Sequence, residues 1–243
     1  MRYLMTFSYD GTNYYGYQKQ SNKVTIQGEI ESVLYKVCGN KNVSIHSSGR
    51  TDAHVHAINQ KAHFDLDNDI DVEKFKHSIN SLLSDSIYVK NIEKVDNDFH
   101  SRYNIKEKSY IYKINMGEYN PFERNYVYQY NKYLDINSIK KATEYLIGTH
   151  DFKSFTKASS LKDSYVRTIY SIDIENKNDI LSITFTGNGF LRYMIRNIVG
   201  SLIDVGSGKV NPSDIKVILD KQNRECASIT ASPNGLYLLD VKY

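Results

Sequence analysis

Asp52 is the side chain in this sequence best placed to do chemistry. It lies in the stretch Ser-Gly-Arg-Thr-Asp-Ala-His-Val-His-Ala-Ile-Asn-Gln-Lys-Ala-His-Phe, from Ser48 to Phe64. Val43 and Ile45 alternate with polar residues before it, and Ala62 and Phe64 do so after it. Gly49 and its polar neighbours break the alternation, so Arg50, Thr51 and Asp52 read as a loop between strands. Loops held by strands expose reactive groups while the scaffold fixes them. The Arg50 cation favours an ionised Asp52, and the Thr51 hydroxyl can hydrogen-bond it. A carboxylate of ordinary pKa, about 3.9, is charged at neutral pH and can attack an electrophile or stabilise a developing cation.

Two other chemistries compete for these residues. An Asp in a Gly-x-x-Asp turn commonly does no more than bond its own backbone. His54 and His56, with Asp52 and His63, could instead share a zinc ion. Against the metal, no Cys lies nearby and no acidic ligand set of recognised spacing follows.

The elements that must position this loop can be read from periodicity. Tyr3, Met5, Phe7 and Tyr9 alternate as an opening strand, which Asp10-Gly11-Thr12-Asn13 ends in turn chemistry. Thr25 caps a helix with Ile26, Ile30, Val33, Leu34 and Val37 on one stripe and Gly39 past its end. After the 43–45 and 62–64 strands, Asp71 caps a second helix carrying Val72, Phe75, Ile79, Leu82 and Leu83. Ile87 and Val89 mark another strand. The pattern lapses at Asp96-Asn97-Asp98, which places a domain boundary near residue 102.

The second half opens on Tyr110, Tyr112 and Ile114. A helix follows from Asp135 through Ile136, Ile139, Thr143 and Leu146, closed by Gly148. Two strands come next, around Tyr170–Ile174 and Leu181–Phe185. Gly187-Asn188-Gly189 then opens the strongest helix, with Leu191, Met194, Ile195, Ile198, Leu202 and Val205 at helical spacing. Asn211-Pro212-Ser213-Asp214 starts a short helix through Leu219, and the chain closes on a strand from Leu236 to Tyr243. The fold class is therefore α+β: a unit over residues 1–102 and another over 103–243, both with largely antiparallel sheets. Gly187-x-Gly189 lacks a third glycine at the right distance, which argues against a dinucleotide fold.

Composition sets outer bounds. The 243 residues are 40% hydrophobic, enough for a substantial core, and no apolar run reaches the ~20 residues of a membrane span. The N-terminus alternates like a strand and lacks the apolar block of a signal peptide. Cys38 and Cys226 are expected to be reduced thiols of a cytoplasmic protein. A net charge of +3 permits RNA binding without requiring it, and 21 Tyr with no Trp supply surfaces on which bases can stack.

Several stretches, in order along nearly the whole chain, resemble the tRNA pseudouridine synthase A family. Tyr9-Asp10-Gly11-Thr12 with Gly16-Tyr17-Gln18 is similar to its opening motif, with Tyr17 where the family usually has Trp. Gly49-Arg50-Thr51-Asp52 through Val55-His56-Ala57 resembles its active-site motif, with His54 where the family usually has Gly. Phe99-His100-Ser101-Arg102 leading to Tyr110-Ile111-Tyr112, and His150-Asp151-Phe152-Lys153-Ser154-Phe155, continue the likeness. So do the run from Phe190 to Gly200 and Gly235-Leu236-Tyr237-Leu238.

The resemblance implies isomerisation of uridine to pseudouridine in RNA, most directly in the anticodon stem-loop of tRNA, with neither cofactor nor metal. It makes Asp52 the catalytic aspartate, acting by attack on the nucleoside or by stabilising charge. Arg50 would displace the target base. Tyr110 would stack on the extruded uracil and assist proton removal, and Arg196 would pair with the aspartate. Thr51, His56 and Leu236 join Arg50 and Tyr110 as substrate-contacting residues. The implied architecture is two tandem ferredoxin-like, RNA-recognition-like subdomains whose sheets meet at a catalytic cleft, in a homodimer. Two alternatives stay open: a paralogue modifying ribosomal RNA, suggested by His54, and a catalytically silent RNA-binding protein.

Overall fold

A computed structural model describes residues 1–157 and 164–243. The chain forms two compact units, Met1–Lys106 with Tyr237–Tyr243, and Glu107–Leu236. The change of unit thus falls at Lys106 rather than near residue 102. The last strand, counted by sequence with the second half, returns to the first.

In the first unit the order is β1 (Arg2–Tyr9), α1 (Ile26–Val37), β2 (His46–Ser47), β3 (His56–Asp65), α2 (Val72–Asn80) and β4 (Ile87–Val95). β1 is central, antiparallel to β3 on one side and to β4 on the other. Tyr3, Met5 and Phe7 are fully buried. Helix caps form where the sequence places them: the Thr25 hydroxyl accepts from Gly28 N, and the Asp71 carboxylate accepts from Lys74 N. Each satisfies an amide that the first helical turn leaves unpaired.

The Val43–Ile45 alternation forms no strand. Ile45 is buried, but its backbone bonds helix side chains, Glu31 Oε1 through its N–H and Gln27 Nε2 through its carbonyl. Pairing starts one residue later, in β2, against the far end of β3. β3 itself is longer than Ala62–Phe64 suggests and begins at His56, four residues after Asp52. Helix α2 stops at Asn80, whose side chain bonds Val89 through both its amide nitrogen and its oxygen and so draws the chain out of helix.

In the second unit come β5 (Glu107–Asn115), β6 (Tyr128–Gln129), α3 (Ile136–Glu144), β7 (Gly148–Asp151), β8 (Val166–Lys177), β9 (Ile180–Gly187), α4 (Met194–Gly206) and α5 (Asp214–Asp220). Strands β5, β9, β8 and β7 pair antiparallel in that order, and short β6 lies parallel on β5. Gly148 opens β7 at φ +106° instead of closing α3. Strand β10 (Leu236–Lys242) then pairs parallel with the start of β3, Tyr237 beside His56 and Leu238 beside Ala57.

Mixed α/β architecture is as expected, and the sheets are mostly antiparallel. Among the described residues no helix is long and apolar enough to cross a membrane. Cys38 and Cys226 carry no disulfide.

Candidate active site

The loop bearing Asp52 joins β2 to β3, and residues some forty positions upstream hold it from beneath. Tyr9 OH and Thr51 Oγ1 share a buried hydrogen bond of 2.8 Å. Burial pushes the Tyr9 phenol up to about 12, so it stays protonated at neutral pH. Tyr17 N–H donates to Thr51 O at 3.1 Å, and His54 N–H donates to Tyr14 O at 3.3 Å. Ser48 Oγ donates to Gln60 Oε1, and Gln60 Nε2 donates to Gly49 O, which fixes the loop's other limb.

Two glycines make the approach this close. A Cβ on Gly11 would lie 2.1 Å from Val55 O, and Gly16, at φ +94°, sits directly against Thr51 and Ala53. The loop is therefore braced on both sides of Asp52, which is half-buried, while Arg50 is exposed. A rigid, partly exposed carboxylate suits a nucleophile better than a turn-forming Asp does.

Three expected substrate contacts lie deeper. Thr51, His56 and Leu236 are 8%, 2% and 6% exposed. The Thr51 hydroxyl braces the loop, and His56 Nδ1 lies 3.1 Å from both Gly11 N and Asp10 Oδ1, with its ring stacked on Tyr237. Thr51 and His56 thereby tie the opening motif and β10 to the loop.

The zinc reading finds no support in the geometry. His54 Nδ1 faces Thr12 O at 2.7 Å, and His63 Nδ1 faces Ser101 Oγ at 2.9 Å. Among the described residues no three His, Cys, Asp or Glu side chains are grouped to hold a metal ion.

His63 instead stacks on His46 at 4.9 Å and meets His100 edge-on at 4.6 Å. Burial, then the charges of Arg2, His100 and His46, lower its pKa from 6.5 to about 4. The folded protein therefore holds a neutral imidazole that the unfolded chain would protonate. Its contribution is whole above about pH 6.5 and is lost as pH falls toward about 4. Allowing for solvent screening, acidification over that window should cost about 2 kcal/mol. Urea midpoints of wild type and His63→Gln measured across it check this, the variant showing the smaller fall.

In the second unit Tyr110 lies on β5 opposite Phe185, half-buried, its ring edge-on to Phe190 at 5.3 Å. Arg196 projects from the first turn of α4. Its Nε donates to Ala231 O at 2.8 Å, and Ala231 N donates back to Arg196 O at 3.0 Å. Sequence reading missed what holds that segment. Buried Asn197 donates to Phe155 O and accepts from Thr230 Oγ1 and Arg224 Nη2, while Arg224 also caps Ala227 O. A Cβ on Gly200 would lie 1.9 Å from Ile229 O, so this helix face admits only glycine there. An Asn beside an Arg on an apolar helix was the available signal.

A family model described as tRNA pseudouridine synthase matches residues 5–104 and 142–243. The chain belongs to the tRNA pseudouridine synthase family. Among its relatives, "tRNA pseudouridine synthase A 1" of Bacillus cereus is 44% identical over 243 residues, covering 100% of this chain and 98% of the relative. "tRNA pseudouridine synthase A" of Caldicellulosiruptor saccharolyticus is 44% identical over 241 residues, 99% of this chain and 98% of the relative. The protein of that name from Anoxybacillus flavithermus is 43% identical over 242 residues, 100% and 98%. A solved Cbf5-Nop10-Gar1 complex aligns with 97% of this chain and 57% of its own, at 12% identity and a TM-score of 0.36, a likeness too slight to bear on the fold.

Within the tRNA pseudouridine synthase family, the two departures of this chain acquire physical meaning. His54 sits at φ +64°, a conformation glycine adopts freely and other residues reach at a cost. Its ring contact with Thr12 O offsets part of that cost. Tyr17 is 1% exposed, and its hydroxyl finds no hydrogen-bond partner among the described residues. Burial outweighs the nearby Ser47 and drives that phenol's pKa up, so it remains a neutral, unsatisfied donor. Tyr17→Phe should therefore stabilise the protein by about 1–2 kcal/mol, a rise in melting temperature of about 2–6 °C, with activity retained. Thermal melts of the two proteins read this directly.

Proposed function

We propose that this chain isomerises uridine to pseudouridine in the anticodon stem-loop of tRNA, with Asp52 as the catalytic carboxylate. The observation that carries the reading is the bracing of Asp52: a half-buried acid on a loop fixed by Tyr9, Gly11, Gly16 and Tyr17. The reaction breaks the bond from N1 of the base to C1′ of the ribose and makes one from C5 to C1′. A proton leaves C5 and one is gained at N1. Substrate and product have the same atoms, so no co-reactant is consumed and no cofactor or metal is called for.

Breaking that bond leaves positive charge on the sugar or requires a nucleophile to relieve it, and an ionised carboxylate serves either need. The base must first leave its stack, at a cost of about a few kcal/mol. Arg50, exposed beside Asp52, is assigned to take its place. Tyr110 is assigned to stack on the free uracil and assist loss of the C5 proton, and Arg196 to hold the carboxylate charged. Thr51, His56 and Leu236 are assigned to the substrate's surroundings, Thr51 and His56 bracing the loop as well. The finer architecture assigned to it is a pair of ferredoxin-like, RNA-recognition-like subdomains with a catalytic cleft, in a cytoplasmic homodimer.

Mapping pseudouridine at nucleotide resolution in RNA from cells with and without the gene tests the target. Loss confined to the anticodon arm of tRNAs is the expected result. Loss confined to ribosomal RNA would transfer the same chemistry to the other substrate.

A further inference from the structure

Between β1 and α1 the chain makes a loop whose neck is closed by hydrogen bonds. Tyr15 N–H donates to Val24 O at 3.0 Å, and Gln20 Nε2 donates to Tyr15 O at 3.0 Å. Ile26 N–H donates to Gly16 O at 3.3 Å. At the tip Asn22 turns the chain at φ +58°, a region that asparagine tolerates. The closed neck fixes the backbone of Tyr15, yet the side chain is 52% exposed and that of Val24 61%. A braced backbone thus presents an aromatic ring to water.

Lys23 Nζ lies 4.2 Å from the centroid of that ring. The acids of α1 are engaged elsewhere. Glu31 accepts from Lys19 Nζ at 3.0 Å and from Gln27 Nε2 at 2.9 Å. Glu29 accepts from Tyr14 OH at 2.7 Å and from Ser84 N–H at 3.0 Å. Among the described residues Lys23 meets no carboxylate. A cation–π contact at an exposed site is weak, so the ammonium stays available to an anion.

This neck rests on the loop that bears Asp52, inside the same compact unit. Tyr14 O accepts from His54 N–H at 3.3 Å. A Cβ on Gly16 would lie 3.0 Å from Thr51 O and 3.3 Å from Asp52 C. Tyr15 stands between those two contacts.

We propose that Tyr15 and Lys23 form a subsite for one unpaired nucleotide of RNA, the base stacking on the Tyr15 ring and the adjoining phosphate pairing with Lys23. An aromatic face accepts any base, and a cation beside it answers the charge that accompanies each base along the strand. The nucleotide held there is a near neighbour of the uridine that reacts, a placement that rests on the assignment of Asp52 to the reaction. Tyr15 and Lys23 are binding groups and take no part in bond making.

The test is the affinity of unmodified tRNA transcript for wild type, Tyr15→Leu, Tyr15→Phe and Lys23→Gln, each titrated over a range of salt. Tyr15→Leu should bind about 5- to 100-fold more weakly with its salt dependence unchanged, and Tyr15→Phe should bind like wild type. Lys23→Gln should lose several-fold, and its slope of log K against log salt should shrink by roughly 0.7 to 1. A single 5-iodouridine moved through the transcript and irradiated should cross-link to Tyr15 from one or two positions in wild type. Wild-type affinity in Tyr15→Leu, equal losses in Tyr15→Leu and Tyr15→Phe, or an unchanged slope in Lys23→Gln overturns the proposal. So does cross-linking that never reaches Tyr15. A wild-type protein that binds in the expected pattern yet forms no pseudouridine would defeat the enzymatic reading and leave the subsite supported.

Discussion

Replacing Asp52 with alanine should leave tRNA binding within a few-fold of wild type and lower the single-turnover rate of isomerisation by about 10⁴-fold or more. Removing the group that makes or stabilises the reacting bond costs this much in other enzymes that work through one nucleophile. The side chain is half-buried on a loop whose backbone is held by Tyr14, Tyr17 and Gln60, so its truncation leaves the fold intact. Asp52→Asn keeps the shape and removes the charge, and should fall as far. Asp52→Glu keeps the charge and moves it by one methylene, and should retain more activity than either. Rapid-quench assays with affinity measured in parallel separate these outcomes.

The second large effect belongs to a residue with no side chain. Gly11→Ala places a methyl where the nearest atom is a backbone oxygen, Val55 O at 2.1 Å, with Val55 C at 2.7 Å. Neither can swing aside as a side-chain tip would, so the turn or the loop bearing Asp52 must shift. The expected cost is about 2–4 kcal/mol of stability, a fall in melting temperature of about 5–15 °C. Below that melting point activity should still drop by about 100-fold, because a shift of about 1 Å in the loop carries Asp52 with it. A variant that melts early yet turns over at the wild-type rate when folded would show that the brace does not position the acid.

Much of this molecule was legible before any coordinates. Thr25, Asp71 and Asp135 cap helices that begin beside them, because a cap and a hydrophobic stripe are local signals. The 181–185 alternation falls within β9, whose residues alternate between buried and half-buried along its whole length. What escaped was non-local. Strands β2, β6 and β7 are two to four residues long, too short to show a period, and are defined by pairing with β3, β5 and β8. The return of β10 to the first unit is of the same kind. The strongest helix starts at Met194 rather than Leu191 because Tyr193 turns left-handed, a choice that no hydrophobic period records.

The candidate site divides in the same way. Asp52 and its loop stood out through residue type and the flanking strands. The residues that hold them did not. Asp10-Gly11 read as an ordinary turn, and Tyr9 as one more aromatic of a strand. Only in three dimensions does Tyr9 meet Thr51 across 42 positions. The family resemblance singled out the opening motif, and the fold supplies its reason, a platform on which the loop bearing Asp52 rests. Thr51 and His56, expected at the substrate, are buried and bond to Tyr9 and Gly11 within that platform.

The most direct test of the central claim is to incubate purified protein with unmodified tRNA transcripts, in chelator and without added cofactor, and to map pseudouridine. Conversion at a defined uridine of the anticodon arm by wild type, and none by Asp52→Ala, is the expected result. No conversion by wild type, or conversion by Asp52→Ala at the wild-type rate, would contradict it.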